Sequence, residues 1–110
     1  MKYMMIVCYD PSLTSATDDG GMDIDTWVSE MDGRGVRLEG QELRAEDATT
    51  VRVRNGEVLI SDGPFAETKE LMVGYDMLEC ADLDEAIEVA SKHPLARRGA
   101  MELRPFGAAD

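Results

Sequence analysis

Lys2-Tyr3-Met4-Met5-Ile6-Val7-Cys8-Tyr9 is the stretch of this chain that decides its fold. A β-strand places successive side chains on opposite faces of its sheet, and here both faces are apolar. Tyr3, Met5 and Val7 occupy one face, and Met4, Ile6 and Cys8 occupy the other. Strands that are apolar on both sides are typically covered on both sides. We therefore expect this strand in the middle of a sheet whose two faces are both covered.

Two short helices are predicted from apolar residues at helical spacing. The first has an apolar stripe at i, i+3, i+4 and i+7, formed by Ile24, Trp27, Val28 and Met31. Gly33 and Gly35 favour the end of this helix. The second helix begins at Asp82, which has capping-box spacing with Glu85, and it ends before Pro94.

A β-hairpin is the clearest strand signal in the remaining sequence. Residues 51–60 predict two strands joined by Asn55-Gly56, a pair that accepts the positive φ angles of a type I′ turn. In this register Arg54 faces Glu57 across the turn. Weaker strand patterns cover residues 36–43, with an interruption at Gly40, and residues 74–80 and 100–104, whereas residues 10–21 have the composition of a loop.

The order of these elements is β-α-β, an inserted β-hairpin, and β-α-β. It predicts a single domain over residues 1–110, with an α+β, ferredoxin-like antiparallel sheet and two helices on one face. Two helices cover only one face of such a sheet. In a chain of 110 residues the available cover for the other face is a second copy, so we expect a homodimer through the sheet faces.

The chain is strongly acidic, with 23 acidic and 11 basic residues and a formal net charge of -12. Such a charge repels phosphate backbones and anionic lipid, so neither nucleic acid nor a membrane is an expected partner. No apolar run approaches the length that spans a bilayer, and no secretory leader pattern follows Met1, which predicts a cytoplasmic protein. Cys8 and Cys80 are too few for a disulfide framework, and we expect both as reduced, buried thiols.

A second informative stretch is Asp62-Gly63-Pro64-Phe65-Ala66-Glu67-Thr68-Lys69-Glu70, in which a Gly-Pro turn precedes a lone aromatic residue and a cluster of ionisable side chains. This stretch resembles the signature of the DGPF-domain proteins, a branch of the YCII-related family. The similarity extends over Lys2–Tyr9 and residues 35–106, including residues 50–54, residues 82–86 and His93-Pro94. The resemblance implies a dimeric α+β barrel, and it leaves the reaction open because the family is mostly without an assigned one.

The resemblance also bears on a known pair of site residues. Better-studied YCII-like members use a His–Asp pair, with the acid immediately before the proline that matches Pro94 and the histidine near the end of the first helix. Here His93 occupies the position of the acid, and no histidine lies between Asp10 and Arg37. The pair therefore does not carry over to this chain as it stands.

Two residues are candidates for proton transfer. Asp62, at the end of the hairpin, is the candidate general base, and His93, the only histidine, is the candidate acid or electrostatic stabiliser. Structural alternatives stay open for both residues. The Asp62 carboxylate could instead accept hydrogen bonds from the backbone of the Gly-Pro turn. His93 could instead be a residue at a helix C-terminus, where the helix favours its positive charge. The candidate substrate-binding residues are Phe65, Lys69, Tyr75 and Arg97, for which roles in the core or on a solvated surface are the alternatives.

The sequence has no zinc-ligand spacing, nucleotide-binding glycine loop or nucleophile motif, so we expect neither a metal nor a cofactor. A cofactor-independent acid–base enzyme and a non-catalytic protein are both compatible with these exclusions. Analogy of fold suggests the enzyme, of isomerase, lyase or dehydrochlorinase type, acting on a small polar or aromatic molecule. The alternative is a small-ligand-binding or regulatory module without catalysis. In that case the resemblance implies an association with sigma factors, since the genes of DGPF proteins are often neighbours of those for alternative sigma factors.

Overall fold

A four-stranded antiparallel sheet with both helices on one face forms the body of the computed structural model, which describes residues 1–13, 21–63 and 71–107. The described elements are, in order, β1 (Lys2–Tyr9), α1 (Ile24–Gly33), β2 (Arg37–Glu42), β3 (Thr49–Arg54), β4 (Glu57–Asp62), β5 (Leu71–Glu79), α2 (Leu83–Ser91) and β6 (Gly99–Pro105). The sheet order is β2-β5-β1-β6, and every neighbouring pair is antiparallel. The ferredoxin-like α+β fold predicted from the sequence is therefore confirmed.

The central strand β1 has the bounds that its apolar pattern predicts. Its odd-numbered side chains, Tyr3, Met5 and Val7, are buried beneath the helices. Its even-numbered side chains, Met4, Ile6 and Cys8, are only partly buried, because they point to the sheet face that the helices do not cover. Cover of this second face by another copy stays a prediction.

The two helices are fixed by caps and by each other. The Asp23 carboxylate accepts from the Thr26 N–H at 2.8 Å at the start of α1, and the Asp82 carboxylate accepts from the Glu85 N–H at 2.9 Å at the start of α2. In a capping box the Glu85 carboxylate would accept from the N–H of Asp82, but here it accepts from the N–H of the preceding residue, Ala81, at 2.7 Å.

In the described part of the chain, no helix has the length and apolarity needed to cross a bilayer.

The predicted hairpin forms, and it stands apart as its own two-stranded sheet. Asn55 has φ 53° and Gly56 has φ 79°, as a type I′ turn requires, and Arg54 pairs with Glu57 in the register. The Arg54 guanidinium donates to the Val53 carbonyl at 2.9 Å, and no ion pair joins it to Glu57 among the described residues. One side of the hairpin is apolar and 59% to 68% exposed, and consists of Val51, Val53, Val58 and Ile60.

The structure corrects the weak strand predicted over residues 36–43. The observed strand β2 runs through Gly40 without interruption, and the irregularity in its pairing with β5 lies earlier, between Arg37 and Glu39. Gly40 has a packing role, because a Cβ at this position would overlap the Asp76 carboxylate. A residue with a side chain is therefore disfavoured at this position. Packing against Asp76, and not a break in the strand, explains the glycine.

The two cysteines are not joined by a disulfide, and they differ in burial. Cys80 is buried as predicted, and burial raises the pKa of its thiol. Cys8 is only partly buried, so the prediction of a buried thiol is wrong for this residue within one copy of the chain. The reason is the same as for its neighbours on β1, since Cys8 points away from the helices.

Candidate active site

A cavity of about 300 Å³ lies on the helix-bearing side of the sheet, between α1, the β2–β5 edge and the turn after α2. Its volume is at the lower end of the range for small-molecule sites in proteins. Apolar lining comes from Val7, Ile24, Val28, Val73 and Leu95. Polar lining comes from Asp25, Arg37, Gln41, Glu42, Tyr75, Asp76 and His93, with Gly40 and Gly74 between them.

Asp76 is the buried acid of this cavity. It lies opposite Met5 in the β1–β5 register, so its side chain points to the helix-bearing face, and it is 7% exposed. Its Oδ1 accepts from Arg37 Nε at 2.8 Å. Burial raises the pKa of Asp76, and the nearby Arg37 guanidinium lowers it by less, so the pKa stays above its ordinary value.

Arg37 holds this acid from the neighbouring strand β2. Besides its bond to Asp76, its Nη1 donates to Asp32 Oδ1 at 3.0 Å. Burial lowers the pKa of Arg37, but the hydrogen bonds to the two carboxylates raise it by more, so the side chain is charged at every relevant pH. The pair lies directly above Gly40, whose missing side chain leaves the space for it.

His93 is the buried imidazole of the cavity and is 3% exposed. It precedes the 3₁₀ turn Pro94–Arg97, where its Nδ1 accepts from the Leu95 N–H at 3.0 Å. Its ring packs edge-on against Trp27, with centroids 4.8 Å apart. Burial lowers the pKa of His93 to about 4, so the positive charge expected from a helix C-terminus is not found.

The hydrogen bonds of these two side chains leave one donor and one acceptor open. A neutral imidazole whose Nδ1 accepts a hydrogen bond has its proton on Nε2. Neither His93 Nε2 nor Asp76 Oδ2 has a hydrogen-bond partner among the described residues. Among those residues, every fully buried polar side-chain atom has a hydrogen-bond partner. The two atoms without partners are therefore accessible to solvent, at the cavity that they line.

The structure separates the residues that the sequence nominated. His93 and Tyr75 both border the cavity, but Tyr75 pairs with Ile6 and therefore directs its side chain to the other face of the sheet. Asp62 and Arg97 are not part of the described lining. Phe65 and Lys69 lie outside the described residues. The predicted sharing of one cavity by Asp62 and His93 is therefore not found here, and a catalytic role for Asp62 stays a prediction.

The structural alternative for Asp62, a carboxylate bonded to the Gly-Pro turn, stays a prediction, because residues 64–70 lie outside the described residues. Asp62 is exposed at the end of β4, opposite Thr49. The Gly63 N–H donates to the Ala48 carbonyl at 2.7 Å, and the Gly63 carbonyl accepts from the Thr50 hydroxyl at 2.7 Å. The turn is thus held by these neighbours in the part that the structure describes.

Tyr75 and Arg97 make contacts other than those expected of substrate-binding groups. The Tyr75 hydroxyl donates to Glu39 Oε1 at 3.3 Å, and burial together with that carboxylate raises the pKa of Tyr75. The Arg97 guanidinium lies against the backbone of Gly21, where a Cβ would overlap it. A binding role for either residue stays a prediction.

Sequence reasoning missed Asp76 and Arg37, although a signal for Asp76 was available. In residues 74–80, Gly74, Asp76 and Leu78 share one face of the strand, and an ionisable residue on the same face as a core leucine is unusual.

Among the described residues, no group of three or more side chains is arranged to hold a metal ion.

Comparisons with known proteins identify the family to which this architecture corresponds. A family model described as YCII-related domain matches residues 1–106. An uncharacterized protein of Rhizobium meliloti (strain 1021) is 45% identical over 61 residues, which are 54% of this chain and 49% of the relative. The chain thus spans about half the length of that curated relative. The relative has no assigned activity to transfer.

Proposed function

The chain belongs to the YCII-related family, and on that premise we propose that it is a cofactor-independent acid–base enzyme acting on a small carbonyl compound in the cavity of Asp76 and His93. The observation that supports this proposal is that one cavity is lined by both a carboxylate oxygen and an imidazole N–H that lack partners among the described residues. Removal of a proton next to a carbonyl needs these two groups, a base for the carbon-bound proton and a donor for the oxygen.

His93 is the donor in this mechanism. A neutral imidazole with its proton on Nε2 polarises a carbonyl oxygen and stabilises the enolate that develops on it. Because burial lowers its pKa to about 4, His93 is neutral throughout the physiological range. The hydrogen bond from Leu95 to Nδ1 fixes the ring so that Nε2 remains available.

Asp76 is the base. Its Oδ1 is held by Arg37, which fixes the carboxylate in one orientation, and its Oδ2 is open to accept the proton. Burial raises its pKa, which makes it a better proton acceptor than an exposed aspartate. This assignment replaces Asp62 by an acid that lines the same cavity as His93.

The second candidate is a small-ligand-binding or regulatory accessory module without catalysis. In this case the protein would belong to the DGPF branch and be associated with sigma factors. The observation that favours it is the direct bond from Arg37 to Asp76, because a bound cation weakens a carboxylate as a base. In this case the same cavity binds its ligand and returns it unchanged.

We further propose that the protein acts as a cytoplasmic homodimer through the sheet faces that lack helices. The partly buried side of β1 supports this assembly, since neither described helix covers Met4, Ile6 and Cys8. An obligate interface of this kind buries more than roughly 1,200 Å² in total.

Hydrogen–deuterium exchange at carbon tests the enzymatic proposal without knowledge of the natural substrate. Hydroxyacetone and aminoacetone are incubated with the protein in D2O, and loss of their C–H signals is followed by proton NMR. We expect the protein to accelerate exchange, and Asp76→Asn to remove the acceleration because the amide cannot accept the proton. Asp47→Asn, the same change at an exposed position, is the matched control that keeps full activity.

The same assay compares the two candidate bases. If Asp62→Asn abolishes exchange while Asp76→Asn retains it, the base is the hairpin residue and our assignment is wrong. Binding of either compound without exchange, in protein whose circular dichroism is native, would instead favour the binding module.

A further inference from the structure

The cavity has an excess of negative charge among its described lining. Asp25 in the first turn of α1, Glu42 at the end of β2 and Asp76 contribute carboxylates, whereas Arg37 contributes the one positive charge of the lining that the structure describes. That charge is already matched twice, by Asp76 at 2.8 Å and by Asp32 at 3.0 Å. An anionic ligand would therefore meet uncompensated carboxylates.

Asp25 and Glu42 differ from the paired acids elsewhere on the surface. Glu88, for example, bonds Arg34 at 2.9 Å and Lys92 at 3.0 Å. Among the residues that the structure describes, neither Asp25 nor Glu42 has a cationic partner. Two carboxylates that lack a cationic partner in the described part of the chain thus line the same cavity as His93, a buried residue whose Nε2 has no hydrogen-bond partner there.

We propose that the cavity takes a small ligand with a carbonyl oxygen and a positively charged amine, the carbonyl accepting from His93 Nε2 and the ammonium group bonding Asp25 and Glu42. This inference rests on the site of the proposed function and names the class of its substrate. A carboxylate or phosphate is excluded by the same charges. The volume of about 300 Å³ limits the ligand to the space of about ten water molecules.

Three amides of similar size and different charge test this inference without any turnover. Glycinamide is a cation near neutral pH, glycolamide is neutral, and oxamate is an anion. Each is titrated into the full chain at pH 6.5 and low salt, and binding is read from the NMR signal of the indole N–H of Trp27, whose ring packs against His93. We expect glycinamide to bind about tenfold more tightly than glycolamide, and oxamate to bind most weakly.

A matched pair of double variants separates the local carboxylates from the overall charge of the protein. Asp25→Asn with Glu42→Gln should abolish the preference for glycinamide over glycolamide. Asp47→Asn with Glu46→Gln removes the same two charges from the exposed turn Ala45–Asp47 and should leave the preference unchanged.

The order of affinity of the three amides, and its response to the two double variants, decides whether the inference holds. Tighter binding of oxamate, equal binding of all three amides, no binding of any, or an equal effect of the two double variants would each overturn the inference. Absence of carbon-bound hydrogen exchange together with the expected ranking would instead remove the proposed catalysis and retain the ligand class.

Discussion

Acidification should destabilise the folded protein through His93, before the carboxylates titrate. The pKa of His93 is about 4 in the folded state, against an ordinary value of 6.5. This difference corresponds to about 3 kcal/mol of folding free energy at neutral pH. By linkage, about 2 kcal/mol of it is lost between pH 7 and pH 5.

Stability falls with falling pH because the unfolded chain binds a proton on His93 more readily than the folded protein does. Below pH 6.5 the unfolded chain takes up a proton on its exposed imidazole, while the folded protein keeps the buried ring neutral until about pH 4. Stability is therefore fully present above pH 6.5 and falls as the pH drops toward 4. Asp76 acts in the opposite direction, because its raised pKa lets the folded state bind a proton more readily than the unfolded chain.

Urea unfolding at pH 7 and pH 5, at one protein concentration and followed by circular dichroism, measures the loss. His93→Asn is the matched variant, since its side-chain oxygen can accept from the Leu95 N–H in place of Nδ1 but does not titrate. We expect the variant to be less stable at pH 7 and to lose about 2 kcal/mol less than the wild type between the two pH values. An equal loss in both proteins would show that His93 is not held neutral by burial.

Three further outcomes are expected. Gly40→Ala should destabilise the protein by about 1–3 kcal/mol in urea unfolding because its Cβ overlaps the buried ion pair, whereas Gly33→Ala, with open space around it, should not; equal effects would contradict the packing role. Ile6→Glu should convert the dimer into a folded monomer by light scattering, and a wild-type monomer at micromolar concentration would refute the sheet-face assembly. Cys80 should react slowly with a thiol reagent in every native form, while Cys8 should react quickly only in the Ile6→Glu monomer; fast labelling of Cys8 in the wild type would argue against a covered sheet face.

The elements with local signals could be predicted from the sequence. The two apolar faces of residues 2–9 gave the bounds of β1, and Asn55-Gly56 located the hairpin, because turn chemistry and strand alternation act over neighbouring residues. The site could not be assembled in the same way. Arg37 and Asp76 are 39 residues apart in sequence and meet only because β2 and β5 pair.

The charge state of His93 shows the same limit. A local rule, the favourable field at a helix C-terminus, predicted a raised tendency to be protonated. Burial against Trp27, a residue of the other helix, reverses that tendency. Which of the two effects wins depends on packing that no window of sequence contains.

The placement of the hairpin has a consequence for how this chain can change over evolution. β2 and β5, the strands between which the hairpin is inserted, are hydrogen-bonded neighbours in the main sheet. A chain excursion that starts and finishes on adjacent strands can lengthen, shorten or accept foreign residues at its tip without altering the register of the sheet. Asn55-Gly56 is thus a natural insertion point, where a peptide or reporter domain could be grafted without displacing the strands that line the cavity.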